Sequence, residues 1–189
     1  MSKNLPKFLR HALFSGIVAL LTVFFSGLLS LSLPSQPLFN QGMEEKSVEI
    51  GKMTVWWSLQ PGGTIECTIT APTTGWVALG FNTHDDIVGT NLIMASVEQG
   101  KVRIEDQYVV RSGEHLPVNM LGGTSAVSNV RGTEQHGVST VSFTITQHAQ
   151  DRFHHNLTEA ASVFLICAYS MEDDFAHHSR MRQHVKVVM

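Results

Sequence analysis

The chain has 189 residues, 15% of them charged, and a formal net charge of −3 when its 10 histidines are counted as neutral. Acidic and basic residues are mixed along the chain, and no run of lysine or arginine supplies the basic surface that nucleic-acid binding requires. Nucleic acid is therefore excluded as a partner. A chain of this length is expected to hold one domain and a short appendage.

The N-terminal segment is uncharged from Ala12 to Leu33, and basic residues precede it. A helix of this length spans about 33 Å, which is enough to cross a bilayer, and the basic flank favours export of the rest of the chain. Residues 1–33 are thus predicted to be an apolar signal or anchor helix. Two fates stay open. The segment is either an uncleaved membrane anchor or a signal peptide whose cleavage site has Ser30 and Ser32 at the −3 and −1 positions. Either fate makes the domain extracytoplasmic, periplasmic or secretory, and membrane-anchored or secreted.

Beyond this segment, residues 34–46 combine turn-forming residues with charges and are predicted to be a linker. Residues 47–189 change to period-two hydrophobicity, which is clearest in Thr64–Thr70 and Val138–Ile145 and is typical of strands. A short helix is expected around Gln147–Asn156. Further strands are predicted at Met53–Leu59, Trp76–Phe81, Leu92–Val97, Val102–Tyr108, Val163–Tyr169 and His184–Val188.

Glycine-rich turns separate these strands, and Glu98–Lys101 is predicted to form a hairpin turn. Several short strands with such turns indicate an all-β sandwich or barrel. Cys67 and Cys167 lie in predicted strands without the spacing of a metal site or a redox motif. They form either one disulfide, which an extracytoplasmic location permits, or two buried thiols that pack as small apolar side chains.

Three stretches, in their order and spacing, resemble one family. The first is Thr74–Phe81, with the sequence TGWVALGF, and the second is Gly89–Ile93 followed by a hairpin and Val102–Tyr108. The third is Asp174–Arg180, with the sequence DFAHHSR, ahead of the last strand. Over residues 47–189 the chain resembles a DOMON domain, the module named after dopamine β-monooxygenase that also forms the cytochrome domain of cellobiose dehydrogenase.

The resemblance implies an immunoglobulin-like antiparallel β-sandwich with a ligand pocket near one end, and the family's ligands are haem b and sugars. Haem-binding members hold the iron with a Met in the loop after the Gly-Phe strand and a His near the last strand. The resemblance places the His at His177 or His178, of which His178 fits the pattern better. It places the Met at Ile87, whose side chain cannot bind iron.

Two residues are candidates to replace the missing Met. His84 lies three residues before Ile87 in the same loop, and a neutral imidazole there would form a bis-His haem site with His178. The alternative for His84 is an exposed loop histidine. Met94 is the second candidate, and its alternative is core packing within a strand. Because adjacent residues of an extended segment point in opposite directions, only one of His177 and His178 is expected to face the ligand.

The remaining candidates are one acidic residue, a pair of histidines and the three tryptophans. Asp106 is expected to be a hydrogen-bond acceptor at a corner of the sandwich, and His154 and its neighbour are expected at the surface. Trp56 and Trp57 are candidates to line a sugar or porphyrin site, whereas Trp76 is expected in the core.

These residues predict an extracytoplasmic ligand-binding module, with haem b as cofactor and electron transfer to a redox partner protein as its function. The alternative is a module that binds a carbohydrate or a partner without redox chemistry. A third hypothesis is a metal-dependent or hydrolytic enzyme that uses His84, Asp85, Asp86 and His178. The chain has no HExxH sequence, no nucleophile elbow and no glycine-rich phosphate loop, so catalysis by this chain alone is not expected.

Overall fold

The computed structural model describes residues 44–189, which form two antiparallel sheets packed face to face. The strands of this part of the chain are β1 (Glu45–Ile50), β2 (Met53–Gln60), β3 (Thr64–Ala71), β4 (Val77–Asn82), β5 (Asn91–Glu98), β6 (Lys101–Arg111), β7 (Glu114–Pro117), β8 (Ser128–Gln135), β9 (Val138–Thr146), β10 (Ser162–Tyr169) and β11 (Met181–Val188). One 3-10 turn, Val118–Leu121, follows β7.

One sheet has the order β1-β2-β3-β9-β8, and the other has the order β11-β10-β4-β5-β6-β7. Every neighbouring pair of strands is antiparallel. The predicted all-β antiparallel sandwich is confirmed. The predicted signal or anchor helix lies outside the described residues, and residues 44–189 include no helix that is long and apolar enough to span a bilayer.

All the predicted strands are present, with ends that differ by at most three residues, and the predicted hairpin joins β5 to β6 at Gln99 and Gly100. Strands β1, β7 and β8 were not predicted, and β1 begins two residues inside the predicted linker. The helix expected around Gln147–Asn156 is wrong. Turns replace it because the Asp151 carboxylate accepts hydrogen bonds from the backbone N–H groups of Thr124 and Phe153 and from the His154 ring.

The main core lies between the sheets, where alternate side chains of each strand meet. On β3 the inward residues are Ile65, Cys67 and Ile69, and on β4 they are Val77, Leu79 and Phe81. Full burial of each large aliphatic or aromatic side chain stabilises the fold by about 1.5–3 kcal/mol. The alternation found in the sequence of β3 and β9 therefore reflects one face in this core and one face outside it.

Both cysteines are free thiols in this core, Cys67 on β3 of one sheet and Cys167 on β10 of the other. Of the two alternatives left open by the sequence, the structure has the buried thiols. Burial raises the pKa of Cys67 above its ordinary value and raises the pKa of Cys167 to about 12. Both side chains are therefore protonated and shielded at neutral pH, which makes them poor nucleophiles.

We expect neither thiol to react with an aromatic disulfide reagent in the native protein, and both to react at once after unfolding without reductant. The measurement is the absorbance of the released thiolate with and without denaturant. If the unfolded protein without reductant released no thiolate, a disulfide would be present, and this result would contradict the structure.

The six-stranded sheet is buried on its outer face as well. Trp76, immediately before β4, and Leu92 and Met94 of β5 belong to a second apolar cluster on that face. The segment Ser170–Arg180 between β10 and β11, here called the β10–β11 loop, covers this cluster. Its Phe175 is buried in the cluster, and the Arg103 guanidinium of β6 lies 4.1 Å from the centre of the Phe175 ring. The loop thus crosses the outer face from β10 as far as β6.

Gly75 allows the loop to approach the sheet this closely. The Trp76 N–H donates to the Glu172 carbonyl at 3.0 Å, and the Ser170 N–H donates to the Trp76 carbonyl at 2.9 Å. A Cβ atom on Gly75 would overlap the backbone nitrogen of Glu172, which leaves no room for any side chain. The β10–β11 loop is therefore held against the sheet by backbone contacts that only glycine permits.

Replacing Gly75 by Ala is expected to destabilise the protein by about 2 kcal/mol, since a methyl group forced into a packed site typically costs 1–3 kcal/mol. The measurement is chemical unfolding, together with amide hydrogen exchange in residues 170–180, which should become faster. The control is Thr74→Ala at the exposed neighbouring position. Equal stability of the two variants would show that the backbone contact does not hold the loop.

Candidate functional site

A cavity of about 130 Å³ lies on the outer face of the six-stranded sheet, between the β10–β11 loop and the hairpin of β6 and β7. Its floor is apolar, and its polar groups are concentrated at the rim. An apolar cavity with a few convergent polar groups is typical of a small-ligand site. The floor residues include Trp76, Ala78, Leu92, Met94, Val109 and Ala168, and the polar rim residues include Glu114, His115, His177, His178, Ser179 and Arg182.

His177 and His178 both line the cavity. The extended segment on which the sequence analysis based its choice of one histidine is absent here, since residues 174–177 form a turn, closed by a hydrogen bond from the His177 N–H to the Asp174 carbonyl at 3.0 Å. Adjacent side chains of a turn do not alternate as they do on a strand. The His177 side chain is 59% exposed, and its Nδ1 lies 3.7 Å from an Asp174 carboxylate oxygen.

Met94 has the core packing that was the alternative for it, and it also lines the cavity. It is 1% exposed, packs in the outer apolar cluster, and forms part of the cavity floor. Ile87 lines the same cavity. The position at which the family resemblance expects a Met therefore faces the cavity here, with a side chain that cannot bind a metal.

His84 is not among the residues that line the cavity. It is exposed, its Nδ1 lies 3.0 Å from the Thr83 hydroxyl, and its backbone N–H donates to the Asn82 side chain. The structure therefore does not bring His84 together with His178 in the cavity.

A histidine that the sequence did not point to, His115, lies at the rim instead. His115 is half-buried on β7, where it pairs with Val109 of β6. Its Nδ1–H donates to Gln107 Oε1, and the Gln107 side-chain N–H donates to the Glu105 carboxylate at 2.7 Å. Burial lowers the pKa of His115 below its ordinary value, against the opposing charge of Glu105. The ring is therefore neutral at pH 7.

One buried donor in the cavity wall has no partner. Trp76 is 4% exposed, and its Nε1–H has no hydrogen-bond partner among residues 44–189. Arg182 and Ser179 supply further donors at the rim. An unpaired buried donor costs about 1–3 kcal/mol, so a ligand that accepts a hydrogen bond from Trp76 would be favoured.

Asp106 is the structural acceptor that the sequence predicted. Its carboxylate accepts from the Asn91 amide at 2.6 Å, the Ala126 N–H at 2.8 Å and the His154 Nε2–H at 3.1 Å. The surface position expected for His154 is wrong, since this residue is 8% exposed and its ring bridges Asp106 and Asp151. Pairing of the polar residues with each other is what allows their burial.

The three tryptophans do not form a common site. Trp56 lies in a surface depression on the outer face of the five-stranded sheet, beside Glu66 and Arg131. Trp57 packs in the main core, and Trp76 lies on the outer face of the other sheet. Trp57 also lines this depression beside Trp56, so these two tryptophans share one surface and Trp76 lies apart from them.

No group of three or more His, Cys, Asp or Glu side chains within residues 44–189 is arranged to hold a metal ion. The enzyme hypothesis, which placed a bare copper or zinc ion among His84, Asp85, Asp86 and His178, has no support in this geometry.

The DOMON domain family model matches residues 49–170. The chain belongs to the DOMON domain family. Among solved structures, the DOMON sandwich is similar to the cytochrome b domain of pyranose dehydrogenase from Coprinopsis cinerea, with a TM-score of 0.59 and 9% identity over 77% of this chain and 81% of that one. It is also similar to the cytochrome domain of Myriococcum thermophilum cellobiose dehydrogenase, with a TM-score of 0.59 and 8% identity over 78% and 82%. No curated protein matches the chain.

The buried pairing of His154 makes stability depend on pH. Burial disfavours the charged ring, but the hydrogen bonds and charges of Asp106 and Asp151 outweigh it, so the pKa of His154 is raised above 6.5. A raised folded-state pKa contributes stability that is fully present below about pH 6.5 and is lost as the pH rises through the folded-state value.

We therefore expect the free energy of unfolding to fall between pH 6 and pH 9, and to fall less in His154→Gln, in which the amide cannot titrate. The measurement is chemical unfolding across this pH range, with His155→Gln as the matched control. Parallel pH profiles for the wild type and His154→Gln would show that His154 is not the titrating group.

Proposed function

We propose that this DOMON protein is an extracytoplasmic module that binds haem b in the cavity on the outer face of its six-stranded sheet and transfers single electrons. The observation that carries the proposal is the convergence of Met94, His115 and His178 on one apolar cavity. A porphyrin supplies four nitrogens to its iron, so the protein needs to supply only axial ligands. The side chains at this cavity are too few to hold a bare metal ion, but they are enough to hold an iron that a porphyrin already binds.

The chemistry of the cavity fits haem in kind. His178, at the position where the family resemblance places the histidine ligand, would hold the iron, and the apolar floor would limit access of water and tune its potential. Arg182 and Ser179 at the rim are donors suited to the carboxylates of the porphyrin. The haem would supply one-electron chemistry, and the protein would supply ligation, burial and orientation.

The size of the cavity adds one requirement. Its volume of about 130 Å³ is below the 300–1,000 Å³ that is usual for small-molecule sites. A porphyrin therefore has to enter by outward movement of the β10–β11 loop or of the β6–β7 hairpin. Residues at both edges of the cavity, among them His177 in the loop and Gly113 in the hairpin, are exposed to solvent.

The comparisons support this function at the level of the fold. The two similar structures are cytochrome domains, named in one case as cytochrome b, at identities of 9% and 8%. The proposed role needs a redox partner protein, and the predicted helix of residues 1–33, followed by the linker 34–46, would attach the domain to a membrane or direct its secretion. The DOMON sandwich would then be a redox module rather than an enzyme.

The test is the visible spectrum of the full-length chain, purified in mild detergent with haem supplied. We expect a sharp Soret band and narrow α and β bands after reduction, which mark low-spin six-coordinate haem. His178→Ala is expected to weaken haem binding at least about tenfold, as loss of an iron ligand should. His177→Ala is the matched control. It removes a ring that lies beside Asp174, and it is expected to retain haem.

A folded wild-type protein that shows no Soret band in the presence of haem would contradict the function. In that case binding of oligosaccharides, measured by calorimetry with Trp56→Ala as the comparison, would favour the carbohydrate-binding alternative. Equal haem binding by the wild type and His178→Ala would leave the function in place and remove His178 from the site.

A further inference from the structure

We propose that His115 would hold the haem iron together with His178, through its Nε2 atom, and that Gln107 and Glu105 keep the His115 ring in the tautomer that this requires. This inference rests on the proposed haem function. It assigns to a residue of β7 the role that the family resemblance places at Ile87. Three independent features of the structure support it. They are the tautomer of the His115 ring, the place of His115 on the sheet and the positions of the other candidate ligands.

The tautomer follows from the hydrogen bonds of Gln107. A carboxylate only accepts hydrogen bonds, so the 2.7 Å contact with Glu105 must come from the Gln107 amide nitrogen. The amide oxygen of Gln107 therefore faces His115, and His115 Nδ1 must carry the proton that it accepts. Nε2 is then unprotonated, and it makes no hydrogen bond within the described part of the chain. Metal-binding histidines are typically oriented in this way by a bond from their other ring nitrogen.

The place of His115 follows from the pairing of β6 with β7. His115 pairs with Val109, which belongs to the outer apolar cluster, so its ring is on the cavity side of the sheet. On β6 the side chains of Arg103, Glu105 and Gln107 follow each other on this same face and are connected by hydrogen bonds.

This row of side chains also connects the two edges of the cavity. Arg103 stacks on Phe175 of the β10–β11 loop at 4.1 Å, and the same loop carries His178. At the other end of the row, Gln107 holds His115. One strand, β6, therefore positions both the loop that bears the family's histidine and the histidine that we propose as its partner.

The competing residues are placed less favourably. His84 is exposed and does not line the cavity. Met94 is 1% exposed and packs in the outer apolar cluster as part of the cavity floor. His177 lies beside Asp174 in the same loop as His178. Of the candidates, His115 alone combines an oriented ring with a free nitrogen at the edge opposite the β10–β11 loop, as far as residues 44–189 show.

The tautomer can be tested without haem. In the ligand-free, full-length protein labelled with ¹⁵N, two-bond correlations of the His115 ring are expected to show a protonated Nδ1 and an unprotonated Nε2 at pH 7.5. In Gln107→Leu the Nε2–H form, which is usual for free histidine, is expected to predominate. A protonated Nε2 in the wild type would overturn the inference.

Ligation is tested in the haem-loaded protein by electron paramagnetic resonance of the ferric form and by haem affinity. The wild type is expected to show the low-spin signal of two imidazole ligands. His115→Ala is expected to lose this signal and to bind haem at least about tenfold more weakly, and added imidazole is expected to restore the low-spin form. Gln107→Leu should weaken haem binding by about tenfold while it keeps the low-spin signal.

The matched control is His84→Ala, which removes a histidine outside the cavity and is expected to change neither the signal nor the affinity. If the wild type binds low-spin haem and His115→Ala has an unchanged signal and affinity, the inference is wrong and the proposed function stands. If the wild type binds no haem at all, both are wrong. Loss of the signal in His84→Ala would restore the ligand pair predicted from the sequence.

Discussion

The architecture depends on the burial of the six-stranded sheet on both of its faces. The five-stranded sheet covers the inner face, and the β10–β11 loop covers part of the outer one. As a result every residue of β4, and all of β5 except its last residue, is buried. The cavity lies where this outer cover stops, between the loop and the β6–β7 hairpin. A ligand that filled it would complete the burial of an apolar surface that the chain itself covers only in part.

The same double burial explains how much of the fold could be predicted. Strands β3 and β9 alternate in polarity because one face of each meets the core, and their sequences predicted them closely. Strands β4 and β5 were found as apolar runs, but such runs do not say what covers the second face. Strand β8 is almost entirely exposed, and β7 has four residues, so neither shows a period that could be recognised. The Asp151 turn was taken for a helix because part of its cause is a bond from the Asp151 side chain to the backbone of Thr124, which is distant in sequence.

The candidate site was predictable where local sequence positions it. The resemblance placed the family's histidine at His178 and its missing Met at Ile87, and both residues line the cavity. His115 was beyond reach, because its partner Gln107 becomes its neighbour only after β6 pairs with β7 across a register shift. His154 was misplaced for the same reason, since the Asp106 that neutralises it lies far away in sequence. Both histidines owe their positions to residues that only the folded chain brings beside them.

The short strand β7 has a further consequence for exchange of a bound ligand. It is the edge of its sheet, pairs on one side only, and its residues are half-buried. Edge elements with few buried contacts open at a lower free energy than the fold as a whole. Release of the bond that we propose between His115 and haem would therefore require only the fraying of one hairpin, while the main core stays intact. The lifetime of the complex would then be set by this hairpin, and substitutions in its turn at Ser112 and Gly113 would change the rate of cofactor loss without changing the melting temperature.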